Sequence, residues 1–218
     1  MKGTLRLAFT ALLIAATAAA DAALAQETLT AAAVWRPPAG FLTRFHAWCD
    51  GRSGARFDAC FAAAMARAGA SPAALDFTRR LGSEGYLQAL APTAGPVAVA
   101  HVLYPFRANE NDAWLLVNGT PPLIDVDDRR NLSFARMRSS AGYAQIFRRY
   151  RNVTFWPGNR GAAEPEVSKD GRELVVGYLL RDLCHACAIV GRVRFTFDFD
   201  AGGRFLGARL VSVTPTSQ

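Results

Sequence analysis

The segment AIVGRVRFTFDFDAGGRFLGARLVSV, residues 188–213, carries the clearest structural pattern in this 218-residue chain. Apolar residues at the odd positions of 193–199 alternate with polar residues at the even positions of 192–198. Such alternation is typical of a β-strand with one buried face and one polar face. Asp-Ala-Gly-Gly at 200–203 is a tight-turn signal, and a second strand-like run follows it. The segment therefore predicts a β-hairpin.

Another strand-like run, at 173–181, precedes this hairpin, so the C-terminal part of the chain predicts three successive antiparallel strands. The apolar face of such a sheet has to pack against another layer. The N-terminal third can supply that layer, because its apolar residues recur at helical spacing. We predict an α+β fold in which N-terminal helices pack on a curved antiparallel sheet, a meander.

The predicted helical region covers residues 41–92. Apolar residues at three- and four-residue steps indicate one helix over 41–48 and a second over 57–68. Ser71-Pro72 is a favourable cap and first-turn pair for a third helix. Residues 83–90 are predicted as one more short helical turn.

Strands are predicted to begin at residue 97. Residues 97–104 are apolar at nearly every position, which indicates a strand shielded from water on both faces. His101 lies within it, and we expect a sheet residue rather than a catalyst. Asn118-Gly119 is a turn signal between two short apolar runs, so a second hairpin is predicted there.

The remaining middle part is predicted as a helix over 131–150 and a loop over 157–172. Strands then account for most of residues 96–214. We expect residues 41–218 to form a single α+β domain, since a chain of this length can bury its own core.

The predicted packing of helices on the C-terminal strands is similar to the cystatin-like and nuclear-transport-factor-like folds, in which helices pack on a curved antiparallel sheet. The resemblance covers only the last strands, residues 173–213, and it concerns the fold. It implies a curved sheet and no particular activity.

The first 25 residues have the pattern of a secretory signal peptide. A basic start, an apolar run at 7–20 and the small residues Ala-Leu-Ala at 23–25 follow one another in the order of a Sec-type signal. The apolar run is shorter than the roughly 20 residues of a membrane-spanning helix. We expect a bacterial protein that is soluble after export, periplasmic or secreted, with an extended, loosely attached leader over 26–40.

The charge pattern restricts the expected partners. The formal net charge is +7, but the basic residues are scattered and form only short clusters, at 129–130 and 148–151. The sequence contains no continuous run of basic residues and no recognisable nucleic-acid-binding motif, so we expect no nucleic-acid partner. No segment after residue 25 is long and apolar enough to span a membrane. An envelope protein or a small ligand is the partner we expect.

Four cysteines, Cys49, Cys60, Cys184 and Cys187, follow the predicted signal, and an oxidising compartment favours disulfides. Four cysteines allow three pairings. Local pairing, 49 with 60 and 184 with 187, is preferred because both ring closures are short, while pairing between the helices and the sheet stays open. Loop entropy gives about 3 kcal/mol for the first ring and about 2 kcal/mol for the second.

The sequence CHAC at 184–187 is the strongest chemical motif. Two cysteines at this spacing serve thiol–disulfide exchange, in which His185 would tune the thiolate, or they form half of a zinc site. Strand-like residues flank the motif, whereas thioredoxin-like enzymes place it at a helix start. We prefer a structural disulfide and keep the redox and metal roles as the alternative. Zinc would need two more ligands, from Cys49, Cys60, His46, His101, His185 and the carboxylates.

Two polar loops are the weaker candidates for ligand binding. Tyr104 and Arg107 mix aromatic and cationic groups after one strand, and Asp125, Asp127 and Asp128 follow another. Such a carboxylate run can bind a polar ligand, although helix capping by Asp127 or Asp128 is the commoner use. No complete catalytic motif is present, and we expect no cofactor and no metal. The sequence therefore favours a non-catalytic, disulfide-stabilised binding or interaction domain.

Overall fold

A computed structural model describes residues 28–107, 111–156, 165–184 and 186–216. Within these ranges the chain forms five α-helices and two antiparallel sheets, one of four strands and one of five. The predicted α+β class is confirmed. The predicted signal peptide, residues 1–25, lies outside the described residues.

The helices lie in two groups along the chain. Ser71 begins the third of them as predicted, since its Oγ accepts a hydrogen bond from the Ala74 N–H at 3.1 Å and Pro72 occupies the first turn. None of the helices in the described ranges is long and apolar enough to cross a bilayer. Their bounds are α1 Phe41–Cys49, α2 Ala55–Arg67, α3 Pro72–Arg80, α4 Phe134–Arg138 and α5 Ala141–Arg149.

The first sheet is an antiparallel meander in which each strand pairs with the next along the chain. The strand and the hairpin predicted after residue 96 are confirmed. The helical turn predicted at 83–90 is wrong, because residues 86–92 pair with the following strand instead. The strands are β1 Tyr86–Pro92, β2 Ala98–Leu103, β3 Asp112–Val117 and β4 Leu123–Asp125.

The second sheet has the order β5-β7-β8-β9, with β6 pairing beside β5 on β7. The three long C-terminal strands are those predicted from the sequence. Two shorter strands, neither of them predicted from the sequence, join them. The strands are β5 Val153–Trp156, β6 Glu166–Val167, β7 Glu173–Asp182, β8 Ile189–Phe199 and β9 Phe205–Pro215.

The first sheet lies between the N-terminal helices and the second sheet. Ala100 and Val102 of β2 pack with Phe77 of α3 on one face. On the other face, Val99 belongs to the core that contains Phe195 of the second sheet. Both faces of β2 are therefore covered, which explains why its sequence is apolar at nearly every position.

The prediction of a loosely attached leader is wrong for the described part, residues 28–40. The Leu29 N–H donates to Asn118 Oδ1 at 2.7 Å, and Asn118 Nδ2 donates to the Leu29 carbonyl at 3.0 Å. Ala33 lies in a short 3-10 helix and is buried, and Trp35 is buried as well. This segment therefore forms part of the helical layer.

The single helix predicted over 131–150 is two helices, α4 and α5. Ser140 separates them, because its Oγ accepts from the Tyr143 N–H at 3.2 Å and so begins α5. Gly142 then allows α5 to lie directly on β9, where a side chain would overlap the carbonyl oxygen of Val213. This packing places α5 against β9, the last strand in the order of the second sheet.

Candidate functional site

The CHAC motif lies in the connection between β7 and β8, as its flanking residues predicted. Cys184 and Cys187 form a disulfide with their Cα atoms 5.0 Å apart. Cys184 is exposed and Cys187 is partly exposed. Leu183, beside the pair, has a φ of 78° and is 61% exposed. The disulfide therefore lies within reach of solvent and of other molecules. His185 lies outside the described residues.

Two hydrogen bonds from neighbouring strands hold the backbone of this loop, and one of them comes from the cationic side chain of Arg181. Arg181 Nη1 donates to the Cys187 carbonyl at 2.7 Å, and the Thr154 Oγ1 hydroxyl donates to the Leu183 carbonyl at 3.0 Å. A guanidinium near a cysteine pair favours the thiolate form after reduction. Within the described ranges, no group of three or more histidine, cysteine or acidic residues is arranged to hold a metal ion.

The other two cysteines are joined to each other. Cys49 at the end of α1 and Cys60 in α2 form a disulfide with a Cα separation of 6.0 Å, and both residues are buried. The preferred local pairing is thus present for both pairs. Because this second disulfide is enclosed in the helical core with Phe45 and Phe61, its position is that of a structural bridge.

Tyr104 and Arg107, two of the predicted binding residues, contact each other directly. The guanidinium carbon of Arg107 lies 3.6 Å from the ring centroid of buried Tyr104, a cation–π contact. Arg107 Nη2 also donates to Glu84 Oε2 at 3.0 Å. Burial raises the pKa of Tyr104, and the positive charge of Arg107 opposes that rise.

Asp125 joins these residues from the end of β4. Its charge, with those of Glu84 and Asp127, raises the pKa of Tyr104 further. Burial raises the pKa of Asp125 itself, although the hydrogen bond from the Asp127 N–H, 2.9 Å long, acts in the opposite direction. A half-buried carboxyl group with a raised pKa, next to other charged groups, is typical of functional sites.

Asp128 has the capping role that the sequence analysis considered. Its carboxylate accepts from the Arg130 N–H at 2.9 Å and pairs with the Arg130 guanidinium at 2.6 Å, which lowers the pKa of Asp128. Asp128 thereby begins a short 3-10 helix over Arg129–Asn131.

A groove of about 570 Å³, which we call the Asp125 groove, opens beside these residues. It runs between the edge strand β4 and the start of β9, and both Asp125 and Asp128 line it. Asp125 thus belongs to the groove and interacts electrostatically with Tyr104 and Arg107. Its lining is apolar at Pro121, Leu123, Ile124 and Phe205, and polar or charged at Asp125, Asp128, Arg130 and Asn131.

Sequence reasoning missed Glu84 and Phe205. Glu84 lies in the stretch interpreted as helical, and Phe205 starts a strand, so neither has a local signal for a binding site. His101 is a sheet residue as predicted: it pairs with Trp114 across β2 and β3, stacks on that ring at 4.4 Å, and lies 3.2 Å from Asp112 Oδ2.

Comparison with protein-family models, with curated proteins and with solved structures finds no match to this chain. The two regions whose geometry bears on function are the Asp125 groove and the exposed Cys184–Cys187 loop.

Proposed function

We propose that this chain is an exported, non-catalytic binding protein whose partner docks in the Asp125 groove. The observation that carries the proposal is the convergence of Tyr104 and Arg107 with Asp125 and Asp127, two segments separated in sequence. Both segments lie at the same end of the first sheet, where Asp125, a carboxyl group whose pKa burial raises, lines the groove. Loops positioned by a rigid sheet are where proteins commonly place binding residues.

The charges of the groove and its surroundings favour a cationic partner. The carboxylates of Glu84, Asp125 and Asp127 lie near Tyr104 in this region, and the exposed Arg107 lies among them and pairs with Glu84. Asp128 is balanced by its own pair with Arg130. In a chain with a formal net charge of +7 this is a local acidic region. A basic side chain presented by an envelope protein fits both the groove and its charge.

A titration with a defined basic peptide tests the proposal. We would measure binding of a short peptide of alternating arginine and alanine by calorimetry, with the citrulline version of the peptide as the neutral control. Asp125→Asn should weaken the arginine peptide about tenfold, the size expected for one charge-assisted hydrogen bond. Asp76→Asn, which removes an exposed carboxylate on α3, should leave binding unchanged.

Equal binding of the arginine and citrulline peptides would refute the proposed charge recognition. Equal weakening by Asp125→Asn and Asp76→Asn would refute the proposed location. Because Asn can accept the Asp127 hydrogen bond in place of the carboxylate, the Asp125 variant is expected to fold.

A second candidate function is thiol–disulfide exchange at Cys184 and Cys187. The observation in its favour is the position of the pair in a surface connection, with Cys184 exposed and Arg181 hydrogen-bonded to the Cys187 carbonyl. The attacking thiolate of a reducing partner could reach such a disulfide. The buried Cys49–Cys60 bridge has no such access.

Reduction of insulin by the dithiol form, together with a measured reduction potential, tests this second function. An active pair should lose all activity in Cys184→Ser, while a Cys49→Ala/Cys60→Ala double variant should keep it. A potential below about −300 mV, the range of structural disulfides, would exclude the redox role.

A further inference from the structure

A second concave site lies between α4, α5 and β5. Its volume is about 410 Å³, which falls within the range of small-molecule pockets. Among the residues that the structure describes, its lining combines aromatic and cationic side chains and includes no acidic residue. We call it the aromatic pocket and define it by Arg129, Phe134, Arg138, Tyr143, Phe155 and Trp156.

The aromatic walls of this pocket are held in place by the core. Phe134 meets buried Phe155 edge to face with centroids 5.0 Å apart, and Phe155 packs in turn on Tyr178 at 4.8 Å. The Trp156 Nε1–H donates to Thr154 Oγ1 at 2.9 Å, which orients the indole. Rigid aromatic walls of this kind favour a flat ring, since stacked and edge-to-face contacts add to the burial of apolar area.

Two guanidinium groups lie at the pocket, and neither forms an ion pair with an acidic residue of the described ranges. Arg129 Nη2 donates to the Phe155 carbonyl at 3.2 Å, which anchors the side chain without neutralising it. Arg138 is exposed and has no hydrogen bond or ion pair with the residues that the structure describes. A ligand with a carboxylate or sulfonate group would supply the missing negative charge, and guanidinium groups bind such anions well.

We propose that the aromatic pocket binds a small planar aromatic anion. The ring would lie among Phe134, Tyr143 and Trp156, and the acid group would meet Arg129 and Arg138. This site is separate from the Asp125 groove and has the opposite charge preference, so it does not depend on the function proposed above.

Calorimetric titration with 2-naphthoate, with neutral 2-naphthamide as the isosteric control, tests this proposal on the full chain. We expect the acid to bind at least about tenfold more tightly than the amide, since only the acid can form charge-assisted hydrogen bonds with the arginines. Arg138→Gln should weaken the acid about tenfold and leave the amide unchanged. Arg136→Gln, on the same helix but outside the pocket lining, is the matched control and should change neither.

A nuclear magnetic resonance titration locates the bound ligand. The indole N–H signal of Trp156, assigned by its loss in Trp156→Phe, should shift with 2-naphthoate at the concentrations of the calorimetric transition. The proposal is overturned if the acid and the amide bind equally, if Arg138→Gln behaves as Arg136→Gln does, or if about 1 mM 2-naphthoate produces neither heat nor a shift. Because Arg138 is exposed on a helix surface, its substitution is not expected to unfold the protein.

Discussion

Two aspartates of this protein lie in opposite electrostatic environments. Burial raises the pKa of Asp125 above its ordinary value, so ionisation of this group in the folded state is disfavoured. The pKa of Asp170 is lowered to about 2, chiefly by the Ser168 hydroxyl and then by Arg172. Ionised Asp125 therefore destabilises the folded state, whereas ionised Asp170 stabilises it.

These environments predict opposite pH effects of two matched substitutions. Because the folded state binds the Asp125 proton more tightly than the unfolded state, Asp125 disfavours folding above its raised pKa, and this effect disappears as the pH falls. The free energy of unfolding of Asp125→Asn, relative to that of wild type, should therefore be higher at pH 7 than at pH 3. Asp170 contributes above its unfolded pKa of 3.8 and loses that contribution as the pH falls towards 2, so Asp170→Asn should show the reverse trend.

Urea unfolding of both variants and wild type at several pH values measures this comparison. The free energy of unfolding of each variant, relative to wild type, is plotted against pH. Slopes of the same sign for the two variants would contradict the assigned environments.

At the level of elements, the two disulfides close rings of different size. The Cys49–Cys60 bridge spans the α1–α2 connection, and the Cys184–Cys187 bridge closes a ring of four residues. Loop entropy predicts that Cys49→Ala/Cys60→Ala loses about 3 kcal/mol and Cys184→Ala/Cys187→Ala about 2 kcal/mol. Chemical unfolding of the two double variants tests the order. A larger loss from the smaller ring would show that contacts, rather than loop closure, determine the effect.

The contact between α5 and β9 depends on one glycine. A methyl group at Gly142 would overlap the Val213 carbonyl oxygen, so Gly142→Ala has to displace the helix from the strand. Overpacking of this kind costs about 1–3 kcal/mol. Gly177 in β7 has open space around its Cα, and Gly177→Ala should be neutral or should stabilise the protein by about 0.4–1 kcal/mol. Urea unfolding of both variants checks the contrast, and equal losses would contradict it.

At the scale of the whole molecule, the two sheets share one core. Val99 and Leu116 of the first sheet lie in the same buried cluster as Val176 and Phe197 of the second. The sheets are also connected by a buried hydrogen bond, since the Tyr178 hydroxyl donates to the Val126 carbonyl at 2.6 Å. Neither sheet can keep this apolar face covered without the other.

Loss of that hydrogen bond should therefore destabilise the molecule as a unit. Tyr178→Phe leaves the Val126 carbonyl buried without its donor, at a cost of about 1–3 kcal/mol. Tyr143→Phe is the matched control, because the Tyr143 hydroxyl makes no hydrogen bond within the described residues. We expect hydrogen exchange in Tyr178→Phe to accelerate in both β2 and β8. Acceleration confined to one sheet would contradict a shared cooperative core.

Helices and strands could be predicted where the sequence has a clear periodicity of apolar residues or a clear capping signal. The odd–even alternation at 192–199 specifies β8 and its buried face, and Ser71-Pro72 specifies the start of α3. Residues 86–92 were misinterpreted as helical, because a short apolar run after three helices has no decisive period of its own. Their strand conformation depends on pairing with β2, a contact that local preferences do not encode.

For the candidate sites, the sequence by itself determined which residues carry useful chemistry: the CHAC cysteines, the Tyr104 and Arg107 loop, and the aspartates after β4. Only the tertiary structure decided which of them meet, how exposed the Cys184–Cys187 bridge is, and that Phe134, Arg138 and Trp156 line one pocket. The physical reason is that side-chain type and spacing determine local secondary structure, through contacts between residues close together in the sequence. Convergence of distant segments depends instead on how two sheets and the helices around them pack to bury their apolar faces.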